Sequence, residues 1–429
     1  MEFVALASAL SPKDCMNLTT PFSILLVFCL AGCAASTTSV LPLTVDGDTF
    51  LVSQREQKIY DLSERAHQTM LRKGLLVSDQ QANAYLNRVG SELVPTLAGV
   101  APNFNFYIVK EASVNAFAMP NGNIYLHVGL LANLDNEAQL AHVLGHEIAH
   151  VVQRHSYIDR IDTHNTLVAA HVADLFLFGT GLAYIPAGMN LASYSRNQEE
   201  ESDTLAIDYV SSQHYDLRES IQLFHHLNEV KHTKEVGSVW ASHPLSTARF
   251  NRATQIIDEM QIDTKSGVIN RELYQDFRQR IATISIERRL ASQQFELAED
   301  AVMREIEQQG NDANWQYYLG EIYRLRAQHP QAAAKEYAWL YDKNNHKELE
   351  KSFIDAGDDN KKLAIEHYQL ALTLNPLDFQ SHRGLGLLYI YDDNPNAAKQ
   401  HLQRYLTQPE KPKDWRYISS LQAKLNKDS

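Results

Sequence analysis

His146-Glu147-Ile148-Ala149-His150 lies inside an apolar run from Leu140 to Val152, and no other feature of the chain restricts the fold as tightly. Two imidazoles and a carboxylate on a buried helix are costly unless metal or hydrogen bonds satisfy them. Residues four apart on an α-helix are about one turn apart along its axis. His146 and His150 therefore project from one face and can reach one ion at roughly 2.1 Å through ring nitrogen. Glu147, beside the first of them, can address a water on that ion. The apolar spacing of Leu140, Leu144, Ile148, Val151 and Val152 predicts a buried helix from about Asn136 to His155, capped by Asp135.

A catalytic zinc needs a third protein ligand and an open position for water. Downstream, the densest carboxylate cluster is Ser195-Arg196-Asn197-Gln198-Glu199-Glu200-Glu201-Ser202-Asp203, where Glu199 and Asp203 share one helix face. Glu199 is the preferred ligand, and Asp203 can accept a hydrogen bond from the distal nitrogen of a ligating histidine and fix its tautomer. Without the upstream histidines the same run reads as a solvated acidic helix start. His142, one turn before His146, either competes for metal or hydrogen-bonds within the core, the second being preferred. His155, with Arg154, reads as an anchor for the helix end, too far along the axis to ligate the same ion.

The surroundings suit a small sheet and many helices. Ile59, Leu62, Ala66 and Met70, then Ala84, Leu86, Val89 and Leu93, follow helical spacing. Residues 104–109 alternate as a strand, and residues 116–119 and 124–127 flank an Asn121-Gly122 turn as a hairpin. The apolar stretch Leu175 to Leu191 is interrupted by Gly179, Gly181, Pro186 and Gly188, and reads as a buried connection rather than a membrane span. Beyond about Asp263, Ala364, Tyr368, Ala371 and Pro376 fall at tetratricopeptide spacing, with Leu385, Gly386, Tyr389 and Ala398 in the next unit and Leu319, Gly320, Tyr323 and Ala332 in an earlier one. Such a stack offers a concave surface for peptide or protein. A plain helical bundle is the other reading of this half.

The net charge of -13, with no concentrated basic stretch, excludes a nucleic-acid partner. Pro21 to Ala31 holds an apolar core too short to span a bilayer, and Leu30-Ala31-Gly32-Cys33 resembles a lipobox, which makes Cys33 the expected site of lipidation. An ordinary buried cysteine after a secretory signal is the alternative. Basic residues ahead of the apolar core are sparse, and Met16 is a candidate start. The other cysteines, Cys15 and Cys29, precede this junction, so no disulfide is expected in the mature domain. Ala34 rather than Asp after the cysteine suggests the outer membrane, facing the periplasm.

Four motifs in order carry a resemblance: Leu140 to Ser156 around the pentapeptide, Tyr194-Ser195-Arg196 with Glu199 and Asp203, Ser242-His243-Pro244 with Arg249, and Val114 to Ala118 before Gly122. Over roughly residues 54–262 the chain resembles the gluzincin metallopeptidase family of the CAAX prenyl-protein protease, HtpX and BepA, and its layout is similar to that of the BepA members. The resemblance implies one zinc ion per chain on His146, His150 and Glu199, with Glu147 as general base and acid and Asp203 behind a ligand. It further implies that His243 approaches the metal and can hold the enzyme latent, that Arg249 is a latency or transition-state residue, and that Asn115 and Ala116 bind an extended substrate as an added strand.

The expected architecture is mainly α with a small β-sheet: a zincin-like metallopeptidase domain followed by an α-helical tetratricopeptide-repeat superhelix. Its parts are a lipoprotein signal peptide at 1–32, a tether at 33–53, the peptidase at 54–262 and the repeats at 263–429. The expected activity is peptide-bond hydrolysis by metal-activated water, acting on unfolded or misassembled envelope proteins, with outer-membrane assembly machinery as a partner for the repeats. A chaperone or scaffold with a latent zinc site is the alternative. A membrane-embedded prenyl-protein protease is disfavoured for want of a clean apolar span.

Overall fold

The computed structural model describes residues 40–44, 53–97, 102–162, 194–229, 243, 247–261 and 267–427. The signal-like segment with Cys33, the Leu175–Leu191 stretch and the expected boundary near residue 262 lie outside the described residues.

Two amphipathic helices come first, α1 (Gln54–Arg72) and α2 (Gln80–Leu93). Ser53 and Asp79 cap them, each side chain accepting from a backbone N–H of the first turn. Three strands follow: β1 (Asn105–Val109), β2 (Ala116–Ala118) and β3 (Asn123–His127). Their order is β1-β3-β2, with β3 parallel to β1 and antiparallel to β2. The hairpin expected around Asn121-Gly122 is present. Gly122 sits at φ 86°, where a side chain would be strained, and its N–H closes the turn onto the Met119 carbonyl at 3.0 Å. This order leaves β2 at one edge of the sheet.

The short α3 (Val128–Asn133) leads into α4 (Glu137–Val152), which carries the pentapeptide and is buried along its whole length. Its ends differ from expectation. Asn136, held in an extended conformation, is the cap and accepts from the Gln139 N–H at 3.0 Å, while Asp135 instead binds Arg304 at 2.9 Å. The helix also stops at Val152 rather than His155, because Arg154 adopts φ 60° and turns the chain before α5 (His155–Asp162) begins. Leu43, fully buried, donates its N–H to the Val152 carbonyl at 2.8 Å.

Packed against α4 are α6 (Arg196–Ser212) and α7 (Leu217–Glu229), with α8 (Thr247–Met260) beyond. A capping box starts α6, since Ser195 and Gln198 exchange side-chain and backbone hydrogen bonds. Gly145 is where α4 and α6 come closest: a Cβ there would lie 3.3 Å from the Ala206 Cα.

The remaining helices are α9 (Arg271–Ala291), α10 (Phe295–Gln309), α11 (Ala313–Gln328), α12 (Pro330–Leu340), α13 (His346–Asp355), α14 (Gly357–Leu374), α15 (Phe379–Tyr391), α16 (Pro395–Leu406) and α17 (Trp415–Lys427). The protein is thus mainly helical with a small three-stranded sheet. Gly320 on α11 and Gly384 on α15 both lie against the Tyr368 ring. One large core runs from Val77 to Ala333 and draws on α2, α4, α7, α9, α10 and α11 alike. Polar contacts cross the same junction: the Tyr274 hydroxyl donates to the Leu131 carbonyl at 2.7 Å, and Arg289 donates to the Ala112 carbonyl at 3.0 Å. Pro42–Ser429 accordingly forms one compact unit. Among the described residues, no helix is long and apolar enough to cross a membrane.

Candidate metal centre

Helix α4 supplies His146 and His150 from one face, α6 supplies Glu199 from its first turn, and His243 comes from the chain ahead of α8. All four are buried. One donor atom from each lies within 4.8 Å of all the others. His146 Nε2 is 3.1 Å from His150 Nε2 and 3.2 Å from His243 Nδ1. Glu199 reaches His243 Nδ1 at 2.7 Å, His150 Nε2 at 3.4 Å and His146 Nε2 at 3.6 Å. A tetrahedron of ligands with arms of about 2.1 Å has edges near 3.4 Å. These separations fit one ion held by nitrogen and oxygen.

The hydrogen-bond pattern supports the same fit. His146 Nδ1 faces Asp203 Oδ1 at 2.9 Å, so its proton belongs on that side and the Nε2 lone pair points into the cluster. Ring lone pairs and a carboxylate that converge on one point repel one another, and a cation removes that repulsion. Burial would raise the Glu199 carboxyl, but the imidazoles of His243 and His146, with His150 and His243 close against its oxygens, bring it far below the usual carboxylate range. Asp203 is likewise low despite burial, because Arg249 grips it through Nε at 2.8 Å and Nη2 at 2.7 Å. Burial pushes the His150 imidazole well below its ordinary value, which leaves it neutral and able to ligate.

Glu147 is fully enclosed, and neither carboxylate oxygen has a hydrogen-bond partner among the described residues. Burial raises its carboxyl, with His243 and His146 opposing the shift. His243 Nε2 lies 3.6 Å away. An unpartnered carboxylate beside four convergent donors is where a reacting water and its proton would be handled.

Arg249 also reaches Glu199 through Nη1 at 2.9 Å, so one guanidinium spans Glu199 and Asp203 of α6. Asn115 and Ala116 are buried at the β2 edge, and the Asn115 side-chain oxygen has no hydrogen-bond partner among the described residues. His142 stands outside the donor group. It packs edge-on against Phe224 at 5.5 Å, and among the described residues neither ring nitrogen finds a hydrogen-bond partner, in contrast to the core hydrogen bond expected of it.

Two side chains matter more than their sequence positions indicated. Tyr194 stacks on the His150 ring with centroids 3.9 Å apart and is tied to Ser156 by a 2.7 Å hydrogen bond. His155, read as a helix anchor, folds back beside His150, with its Nδ1 3.0 Å from that residue's Nδ1. The left-handed turn at Arg154 makes this possible, and an arginine carries no local signal for such a turn.

A histidine pair four apart with an intervening glutamate, a glutamate on the following helix and a small adjoining sheet define the gluzincin class of metallopeptidase site. Residues 80–257 match the profile of peptidase family M48. Among relatives, the beta-barrel assembly-enhancing protease of Escherichia coli is 28% identical over 198 residues, covering 42% of this chain and 41% of that protein. A Vibrio cholerae protein provisionally given the same name is 30% identical over 221 residues, covering 48% of this chain and 45% of that protein. The metalloprotease YcaL of Escherichia coli is 29% identical over 171 residues, 38% of this chain and 65% of that protein. The chain thus spans less than half the length of the first two relatives.

Proposed function

We propose that this protein is a zinc-dependent metalloendopeptidase of the bacterial periplasm, anchored to the outer membrane through Cys33 and acting in quality control or assembly of outer-membrane proteins. The convergence of His146, His150, Glu199 and His243 beside an unpartnered Glu147 carries this reading. The names of the first relatives support the envelope role.

In this reading one zinc ion rests on His146, His150 and Glu199. When bound it supplies a Lewis acid that polarises a scissile carbonyl and makes water nucleophilic near neutral pH. Glu147 takes the proton of the attacking water and delivers it to the leaving amine, a task suited to a carboxyl raised by burial. Asp203 accepts from His146 and holds that ring in one tautomer, and Arg249 fixes Asp203 and Glu199 together. An extended substrate adds to the edge strand β2 at Asn115 and Ala116 through backbone hydrogen bonds, which tolerates many sequences. The peptidase occupies 54–262, and tetratricopeptide repeats over 263–429 engage unfolded envelope proteins or assembly machinery.

One observation favours a second reading. His243 Nδ1 sits among the donors, 3.2 Å from His146 Nε2, where a fourth protein ligand would exclude the water. The protein then rests latent, or acts as a chaperone through its repeats.

Casein cleavage and zinc content of the full chain, compared with Glu147→Gln and His243→Ala, test both. The peptidase reading expects Glu147→Gln to keep its zinc and lose at least 100-fold in cleavage, in line with the loss of a general base. A gain in His243→Ala establishes latency. One bound zinc with no cleavage in any variant would transfer the function to the chaperone reading.

A further inference from the structure

His146 and His150 are braced in different ways. Behind His146 stands a carboxylate, Asp203, at 2.9 Å from Nδ1. Behind His150 stands another histidine: His155 Nδ1 is 3.0 Å from His150 Nδ1, and His155 Nε2 is 3.1 Å from Glu201 Oε2. His155 is 2% exposed, while the Glu201 side chain is 51% exposed.

Proton counting orders this chain. An ionised carboxylate only accepts, so His155 Nε2 carries the hydrogen that faces Glu201. A neutral His155 then presents its Nδ1 lone pair. Only one hydrogen fits between two ring nitrogens, and it must come from His150 Nδ1. His150 Nε2 is thereby left bare, pointing at the donor cluster 3.4 Å from Glu199. Ser202 Oγ, 3.5 Å from His155 Nδ1, is too distant to replace His150 as the donor there. Tyr194 stacks on one face of His150, so the hydrogen bond that His150 donates to His155 sets the in-plane direction of the ring.

We propose that His155 is a positioning residue for metal binding, which fixes the tautomer and direction of His150 through its ring and is itself fixed by Glu201. The inference rests on the reading of His150 as a zinc ligand. It assigns to the outer end of α6 a task beyond supplying Glu199 and Asp203, because Glu201 stands two residues from each of them. Histidines that ligate metals donate their second N–H to an outer partner, and loss of that partner typically weakens binding 10- to 100-fold.

The test is zinc affinity of the full chain by competition with a chromophoric chelator, with the thermal midpoint of the metal-free protein recorded alongside. His155→Leu fills the space without an acceptor and is expected to weaken zinc by about 10- to 100-fold. His155→Asn places an amide oxygen close to the position of Nδ1 and is expected to recover most of that loss, which a packing role would not produce. The absorption spectrum of the cobalt-substituted protein should change in His155→Leu and return toward wild type in His155→Asn. Equal weakening in both variants, or no weakening in either while His146→Ala loses zinc, would overturn the inference and leave the metal-site reading intact. A wild-type chain that takes up no zinc would overturn both. Should His155→Leu fail to fold, His155→Asn is compared with Glu201→Leu, for which a several-fold weakening is expected and unchanged affinity counts against the proposal.

Discussion

His142 and His146 stand one turn apart on the same helix, yet only His146 belongs to the donor cluster. The difference is what each ring meets. His146 has Asp203 behind it, whereas His142 has Phe224 and, among the described residues, no hydrogen-bond partner. Burial holds the His142 imidazole at a pKa of about 4, against an ordinary value near 6.5. A base depressed in this way contributes stability that is fully present above pH 6.5 and is lost as pH falls through 4. At about 1.4 kcal/mol per pH unit, the span corresponds to roughly 3 kcal/mol. His142→Leu should therefore equal or exceed wild type in thermal stability at pH 7, and its advantage should widen between pH 6.5 and 4 with zinc affinity unchanged. Parallel pH profiles for the two proteins would refute this. The sequence marked His142 as unusual but could not say which aromatic ring would stand against it.

At the level of elements, the site depends on how closely α6 approaches α4. Both helices were legible before the structure: the apolar period of residues 140–152 announced one, and the acidic run of residues 195–203, read as a helix start with Glu199 and Asp203 on one face, announced the other. Their separation was not legible, because it turns on Gly145 facing the Ala206 backbone across the interface. Gly145→Val would place branched methyl groups against that backbone and push α6 outward, carrying Glu199 and Asp203 with it. The expected result is a loss of about 1–3 kcal/mol in stability from overpacking. Zinc affinity should fall by more than tenfold, read by chelator competition. Normal zinc affinity in a folded Gly145→Val protein would show that the spacing is not set there. The helix ends were the other illegible part: Asn136 displaced Asp135 as cap, and Arg154 turned the chain where a continuing helix was expected. Both outcomes depend on backbone angles that residue type alone does not dictate.

Across the whole molecule, the helices beyond residue 267 complete the core of the residues before 262. Tyr274, Phe277 and Ile281 of α9 are buried in the same core as Leu86, Leu131 and Leu140. Fully burying one such side chain is worth about 1.5–3 kcal/mol, so several together exceed the net stability of many domains. A chain ended at residue 262 is expected to lose its cooperative thermal transition by circular dichroism and to bind zinc poorly. Retention of a sharp transition would mean that the first part folds alone. The sequence was read as changing to helical repeats near residue 263, and helices do follow from Arg271; which of their faces would be spent on the preceding residues was not readable, since periodicity marks a buried face without naming what buries it. This shared core also has a consequence for descent. The carbonyls of Ala112 and Leu131 are already held by Arg289 and Tyr274. A lineage trading its C-terminal helices for another set would therefore have to keep α9 and α10 as part of the inheritance, and successful hybrids should carry their crossover among the later helices rather than near residue 263.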